Sequence, residues 1–264
     1  YEQEKEPLKN EIKQLLSQTE EIESSPLLII FGELSILRLD NRTDKLQSLD
    51  SLYDELEQVV NPENKWFQLR LQSEILEEMI KIELNNYSVE YSEDDHQSTI
   101  LEEKIAEGIK IKEKINDQEG LCQMFIFKGD YMLKNNNNSI AEKSYQKALN
   151  IAKVVGSMDY ASDSHTGLGK ILSDKGKYDE ALTKFTKAMV ESKIDDNIPN
   201  QYASLIGVFS VAKELKDENI VVEFSDETVA IFQKDKSKGV QYNQLISALK
   251  ECSDFAPQIT NLIP

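Results

Sequence analysis

The sequence predicts an all-α fold built as an array of helix pairs, and three observations carry that expectation. The run from Gly129 through Tyr145 to Ala148 reads G-x11-A-x3-Y-x2-A, and the run from Gly169 through Phe185 to Ala188 reads G-x11-A-x3-F-x2-A. Each landmark in the second run falls forty residues after its partner in the first. A fixed period of roughly 20–50 residues is the mark that stacked supersecondary units leave in a chain. Second, Leu, Ile, Glu, Lys and Gln dominate, while 264 residues hold only six prolines and ten glycines, a composition that favours helix. Third, apolar residues recur three and four positions apart along most of the chain, and no stretch alternates as a half-buried strand would.

The elements follow in order. Ser25-Pro26 opens the first clear helix, with Leu27, Leu28, Ile30, Phe31, Leu34, Ile36 and Leu37 as its apolar positions. Asp40 to Asp44 breaks it, and Leu46, Leu49, Leu52, Tyr53 and Leu56 carry the next. Asn61-Pro62-Glu63-Asn64 stops that helix and starts another, because the residue before proline is pushed out of helical geometry. The helix from about Trp66 to Leu84 is rich in apolar residues, so Trp66 and Phe67 are expected in the core, an exposed aromatic anchor for a partner being the sharper alternative. Residues 85–98 predict an acidic loop, with helix resuming near Ser98 and running to about Ile115.

From there the period is strict. Helices are expected over 119–134 and 138–154, 159–175 and 178–193, 199–215 and 218–233, and over 239–252, with a short closing helix in 254–263. Asn135 to Asn138 and Lys175-Gly176-Lys177 supply turns, since Asn and Gly tolerate left-handed backbone and Asn caps helices. The domain organisation expected is divergent helical repeats over 1–98, regular repeats over 99–252 and a capping segment over 253–264. The chain begins at Tyr1, which is expected of a piece of a longer protein.

Small residues recur at Gly129, Ala141, Ala148, Gly169, Ala181 and Ala188. Two helices approach closely only where one contact layer lacks bulk, and a large side chain then fills the adjoining gap. Tyr145 and Phe185 are placed to do that. The pattern resembles the tetratricopeptide repeat (TPR) family in its extended, forty-residue subclass. The best match is the unit with Leu168-Gly169, Gly176, Tyr178, Ala181, Phe185 and Ala188, with His165 where an aromatic commonly sits. The preceding unit has Phe125, Gly129, Ala141, Tyr145 and Ala148, with Lys128 in place of the leucine. The specific match covers about eighty residues and fades on both sides, where Val221, Ser225 and Thr228 replace Ala, aromatic and Ala.

The resemblance implies a right-handed superhelical solenoid of antiparallel helix pairs whose concave face, built by the first helix of each unit, holds a peptide or protein segment. The residues it projects into that groove are Gln123, Ile126, Phe127, Asp130 and Lys134, then Asp163, Thr166, Lys170 and Ser173, then Ile206, Ser210 and Lys213, and last Asn243, Ile246 and Lys250. Gly167, Gly207 and Ser247 are expected to leave room for a ligand backbone. One subtype is excluded: co-chaperones that clamp a C-terminal carboxylate use Lys and Asn where this chain has Ile126 and Asp130, and Asp130 would repel the carboxylate.

Chemistry is mostly excluded. His165 stands at a packing position, and His96 beside Asp94 and Asp95 lacks the spacing that sets two metal ligands on one helix face. Neither catalytic residue, metal nor cofactor is expected, so the chain reads as a non-enzymatic scaffold or adaptor. The alternatives are a ligand-responsive regulator, such as the sensor half of a peptide-pheromone receptor, or the regulatory segment of a larger enzyme. A net charge of −18 argues against nucleic acid and fits a basic or neutral polypeptide partner. The longest apolar run, Pro26 to Phe31, is too short to span a bilayer. Cys122 and Cys252 read as buried reduced thiols, hence a cytoplasmic location.

Overall fold

The structure is a computed structural model that describes residues 26–39, 44–59, 64–87, 95–235 and 238–261, with Pro7, Asn10, Ile12 and Gln14 as isolated helical positions before them. Every regular element among the described residues is helical. The fold is all-α, and the chain divides into two compact units, Tyr1–Phe127 and Lys128–Pro264.

The first unit contains α1 (Pro26–Leu39), α2 (Lys45–Gln58), α3 (Lys65–Asn86), α4 (Asp95–Lys114) and the start of α5 (Gln118–Lys134). Its core joins Leu27, Ile30, Leu34 and Leu37 of α1 to Leu49, Leu52 and Leu56 of α2 and to Leu71, Ile75 and Met79 of α3. These are the three- and four-residue spacings of one helix face each. Trp66 departs from the expected core position: it is 55% exposed, with the Arg70 guanidinium 5.6 Å from its ring centre. Phe67 is half-buried beside Phe31. The first turn of α3 therefore lies at the edge of the core, which Leu71 and Ile75 fill instead.

The segment expected as a loop over 85–98 is shorter than that, because α3 continues to Asn86 and α4 already begins at Asp95. Asp94 lies outside the described residues; Asp95 and His96 are helical in backbone, and their side chains lie outside the described ones. Farther along α4, Lys112 is buried and its ammonium meets Asp117 at 2.9 Å and Glu77 at 3.5 Å. Pairing is what makes a buried lysine tolerable.

From α5 onward the helices keep time. α5, α7 (Met158–Asp174) and α9 (Ile198–Leu215) start forty residues apart, and so do α6 (Asn138–Val155), α8 (Tyr178–Ile194) and α10 (Glu218–Glu223). The turns keep a beat of twenty. Asn116, Asn136, Gly156, Gly176, Asp196 and Lys216 all have positive φ. The N–H of the residue after each bonds to the carbonyl five positions back, as Asp117 to Lys112, Asn137 to Met132 and Lys177 to Leu172 do. This is the Schellman closure of a helix end. That same residue then caps the next helix: the Asp117, Asn137, Ser157 and Asn197 side chains accept the N–H three residues on. One dipeptide thus ends a helix and starts another, which is why two residues suffice for each turn.

The beat falters after α10. The helix expected over 218–233 is split at Phe224 into α10 and α11 (Ser225–Lys234). Ser225 bonds its hydroxyl back to the Val221 and Val222 carbonyls, a contact that competes with the helix ladder. α12 (Val240–Glu251) and a 3-10 turn (Pro257–Asn261) close the unit, the latter within the span expected for a closing helix. Phe209, Phe224, Ile231, Tyr242, Leu245 and Ile259 belong to its core. Both cysteines are buried, and no described helix is long and apolar enough to cross a membrane.

Candidate functional site

Two aromatic rings fix the geometry of the second unit. A Cβ built on Gly129 would lie 2.6 Å from the Tyr145 ring and one on Gly167 would lie 2.3 Å from it, so that ring is gripped between two glycines. The Phe185 ring is held the same way, 2.7 Å from a Cβ on Gly169 and 2.3 Å from one on Gly207. Gly167 and Gly207 are buried by this contact. They make room for a ring rather than for a ligand backbone, which corrects the expectation for both; Ser247, in the same series, is exposed.

The two grips differ by one oxygen. Tyr145 donates its hydroxyl hydrogen to Asp130 Oδ1 at 2.6 Å, whereas Phe185 has nothing to donate and Lys170 stands where the repeat would put a second aspartate. Asp130 on α5 and Asp163 on α7 are both half-buried and feel each other's charge. Burial pushes the Asp130 carboxyl upward, opposed by Lys170, the Tyr145 hydrogen bond and Lys134. Asp163 is pushed up to about 7, by burial first and then by the charges of Asp130 and Asp159; Lys170 and a hydrogen bond from Asn200 act the other way. Burial and Asp130 hold the Tyr145 phenol well above its ordinary value.

The N-terminal ends of α7 and α9 are tied beside this pair. Asn197 donates from its amide to Asp159 Oδ1 at 3.0 Å, and Asn200 to the Asp159 carbonyl at 3.4 Å. Asp195 in turn accepts the Asp159 N–H at 3.1 Å. Sequence reasoning passed over Tyr145 as a polar group and over Asp159, Asn197 and Asn200 altogether. The available signal was Tyr145 against Phe185 at one repeat position, together with the Asn197 cap.

The other expected groove positions scatter. Thr166 is buried, as are Ile126 and Phe127 in the first unit, so these three present little surface, contrary to a lining role. Gln123, Ser173, Ile206 and Ile246 are half-buried, while Lys134, Lys170, Ser210, Asn243 and Lys250 are exposed. Lys213 is exposed but held by Glu251 at 2.9 Å. His165 is buried as expected, with the Nδ1 atom 2.7 Å from Glu191 Oε2. In the first unit, a groove of about 360 Å³ lies between α1 and α2, lined by Ile36, Leu37 and Leu52 with Glu33, Ser48, Ser51 and Glu55. No described cluster of three or more His, Cys, Asp or Glu could hold a metal ion.

No protein-family model matches this chain, and neither does any curated protein. What the site does is therefore argued from its own residues. Tyr145→Phe tests the distinctive bond while keeping the ring, since phenylalanine already fills the matching grip. The variant is expected to raise the Asp130 carboxyl pKa further and to lower stability by about 1–2 kcal/mol at pH 8. The loss should shrink once that carboxyl is protonated. Carboxyl-carbon NMR titration and urea unfolding at both pH extremes measure the two effects.

Proposed function

We propose that this chain is a non-catalytic interaction module, a TPR-like right-handed solenoid of the extended subclass that holds an extended polypeptide along the first helices of its units. Support for the architecture comes from helix starts at forty-residue intervals, turns at twenty and two rings each set between two glycines. The observation that carries the binding role is the pair Asp130 and Asp163. Most of the α7 positions around Asp163 are buried in packing, yet these two residues keep part of their surface in solvent although burial works against their charge. Such placement opposes stability and makes sense as recognition. With a net charge of −18 the partner is a neutral or basic segment. The two buried cysteines fit a cytoplasmic setting.

The test is selection from a displayed random-peptide library against the whole chain. A recurring motif binding with micromolar Kd is expected, and Asp130→Asn/Asp163→Asn should weaken it about tenfold or more. If no peptide is enriched over an unrelated helical protein, or if the double variant binds the motif equally well along its length, this surface is not the binding groove.

A further inference from the structure

The outer faces of α6 and α8 carry lysines and exposed aliphatic side chains at matching repeat positions. Lys147, Asn150 and Val154 share one face of α6, and forty residues on, Lys187, Val190 and Ile194 share one face of α8. Both faces point outward, because Ala141, Tyr145 and Ala148 of α6 and Ala181, Phe185 and Ala188 of α8 form the buried sides. Val154 is 83% exposed, Ile194 63% and Val190 55%. Aliphatic residues exposed singly need no explanation, but three on matching faces beside cations form a patch. In the next unit the same positions are Glu227, Ala230 and Lys234, so the combination ends with α8.

The two helices flank α7 and both pack on it. Lys184 of α8 is half-buried, and burial lowers its pKa first; the charges of Lys187 and of Lys153 on α6 lower it further, opposed by Glu191 and Glu180. The Lys153 charge thus reaches α8, and the two outer faces adjoin. The acids nearby are engaged elsewhere. Glu142 holds Lys175 at 2.6 Å, Glu180 holds Lys177 at 2.9 Å and Glu191 meets His165 at 2.7 Å. Asp179 lies in the first turn of α8, about two turns before Lys187. Among the described residues Lys153, Lys184 and Lys187 make no ion pair. A chain of net charge −18 therefore gathers three lysines and leaves them without an acid.

We propose that Lys153, Lys184 and Lys187 with Val154, Val190 and Ile194 form a docking face for an acidic amphipathic helix of another protein. The face lies on the second helices of the units and takes a partner of opposite charge to the one assigned to the first helices. On α8 the lysine and the far aliphatic residue stand seven positions apart, roughly 10 Å along the axis. A helix laid beside them repeats that spacing, with carboxylates over the lysines and apolar side chains over the valines and Ile194. An anionic bilayer offers the same charge but extends past the patch, where 48 acidic residues against 30 basic ones in the chain oppose it. A single helix stays within the patch, and screening over about 8 Å hides the rest of the chain from it.

The probe is a fluorescein-labelled helical peptide about four turns long, with glutamates along one face and leucines along the next, titrated with the full chain and read by anisotropy. Saturable binding is expected with Kd on the order of 100 μM at low salt, weakening about threefold or more as salt is raised to about 0.3 M. Lys153→Gln/Lys187→Gln should weaken it about fivefold or more, and Val154→Ser/Ile194→Ser about threefold or more. All four positions are exposed, so circular dichroism should show the same fold. Lys175→Gln/Lys177→Gln removes two lysines already paired with glutamates and should leave the affinity within about twofold. A loss as large in that control would overturn the face, as would the absence of saturable binding or an unchanged Lys153→Gln/Lys187→Gln variant. Equal binding of the same peptide with lysine for glutamate, or with alanine for leucine, would also overturn it. Binding to vesicles containing phosphatidylserine where the peptide fails would make the face a membrane contact instead.

Discussion

Alanine in place of Gly207 is expected to destabilise the chain by about 2–3 kcal/mol, the range of a core forced to accept extra atoms. The added Cβ would stand 2.3 Å from the Phe185 ring, inside the distance at which something must move. The ring cannot easily yield, because Gly169 crowds it as well, a Cβ there standing 2.7 Å away. Phe185 is itself among the largest fully buried side chains. Urea unfolding followed by far-ultraviolet circular dichroism measures the loss. A double-mutant cycle decides the cause. Phe185→Leu opens a cavity on its own, and Gly207→Ala should cost about 1 kcal/mol less in that background than in the wild type. Additive effects would mean that the strain lies in the α9 backbone and not in the grip on the ring.

The grip explains how much of the molecule its sequence disclosed. Gly129 with Tyr145 and Gly169 with Phe185 were legible, since a small residue and a ring at fixed spacing repeat without change. The second jaw of each grip, Gly167 and Gly207, was visible as two glycines but assigned to the wrong neighbour. Nothing in a single sequence says which side of a helix meets the adjoining ring. In the next unit the sizes interchange: Phe209 stands at the glycine position and Ser225 at the ring position, and Phe209 is fully buried. Volume is kept while the letters of the motif are lost, so periodic matching fades there although packing does not.

The turns fared differently. Asp196 and Lys216 take positive φ without being glycine or asparagine, so composition alone hides two of the six turns that the twenty-residue beat would have revealed. Trp66 failed for another reason. Apolar periodicity locates a buried face, but the first turn of a helix can extend past the core it serves, and Trp66 does so. As for the site, Asp130 and Asp163 were placed by helical register. Their shared environment, with Tyr145, Asp159 and Asn200 around them, depends on contacts between helices that register does not encode.

Asp163→Asn is expected to make the chain more stable at alkaline pH, by about 2 kcal/mol at pH 8, and to change little near pH 4. The sign follows from the direction of the shift. An ordinary aspartate titrates near ~3.9, and Asp163 is pushed up to about 7, so the folded chain holds this proton more tightly than the unfolded one. The group's contribution is complete below the unfolded value, declines as pH rises through about 7 and stays lost above it. Asparagine keeps the position neutral throughout and removes the decline. The full shift corresponds to roughly 4 kcal/mol at ~1.4 kcal/mol per unit, halved here because part of the side chain faces solvent. Denaturant midpoints of both proteins between pH 4 and 8 should therefore converge at the acid end and part at the alkaline end. Parallel curves would place Asp163 in an environment no different from open water. If they part as expected, the wild type carries at neutral pH a carboxylate that lowers its own stability, a loss that protonation or a positive charge brought against Asp163 relieves.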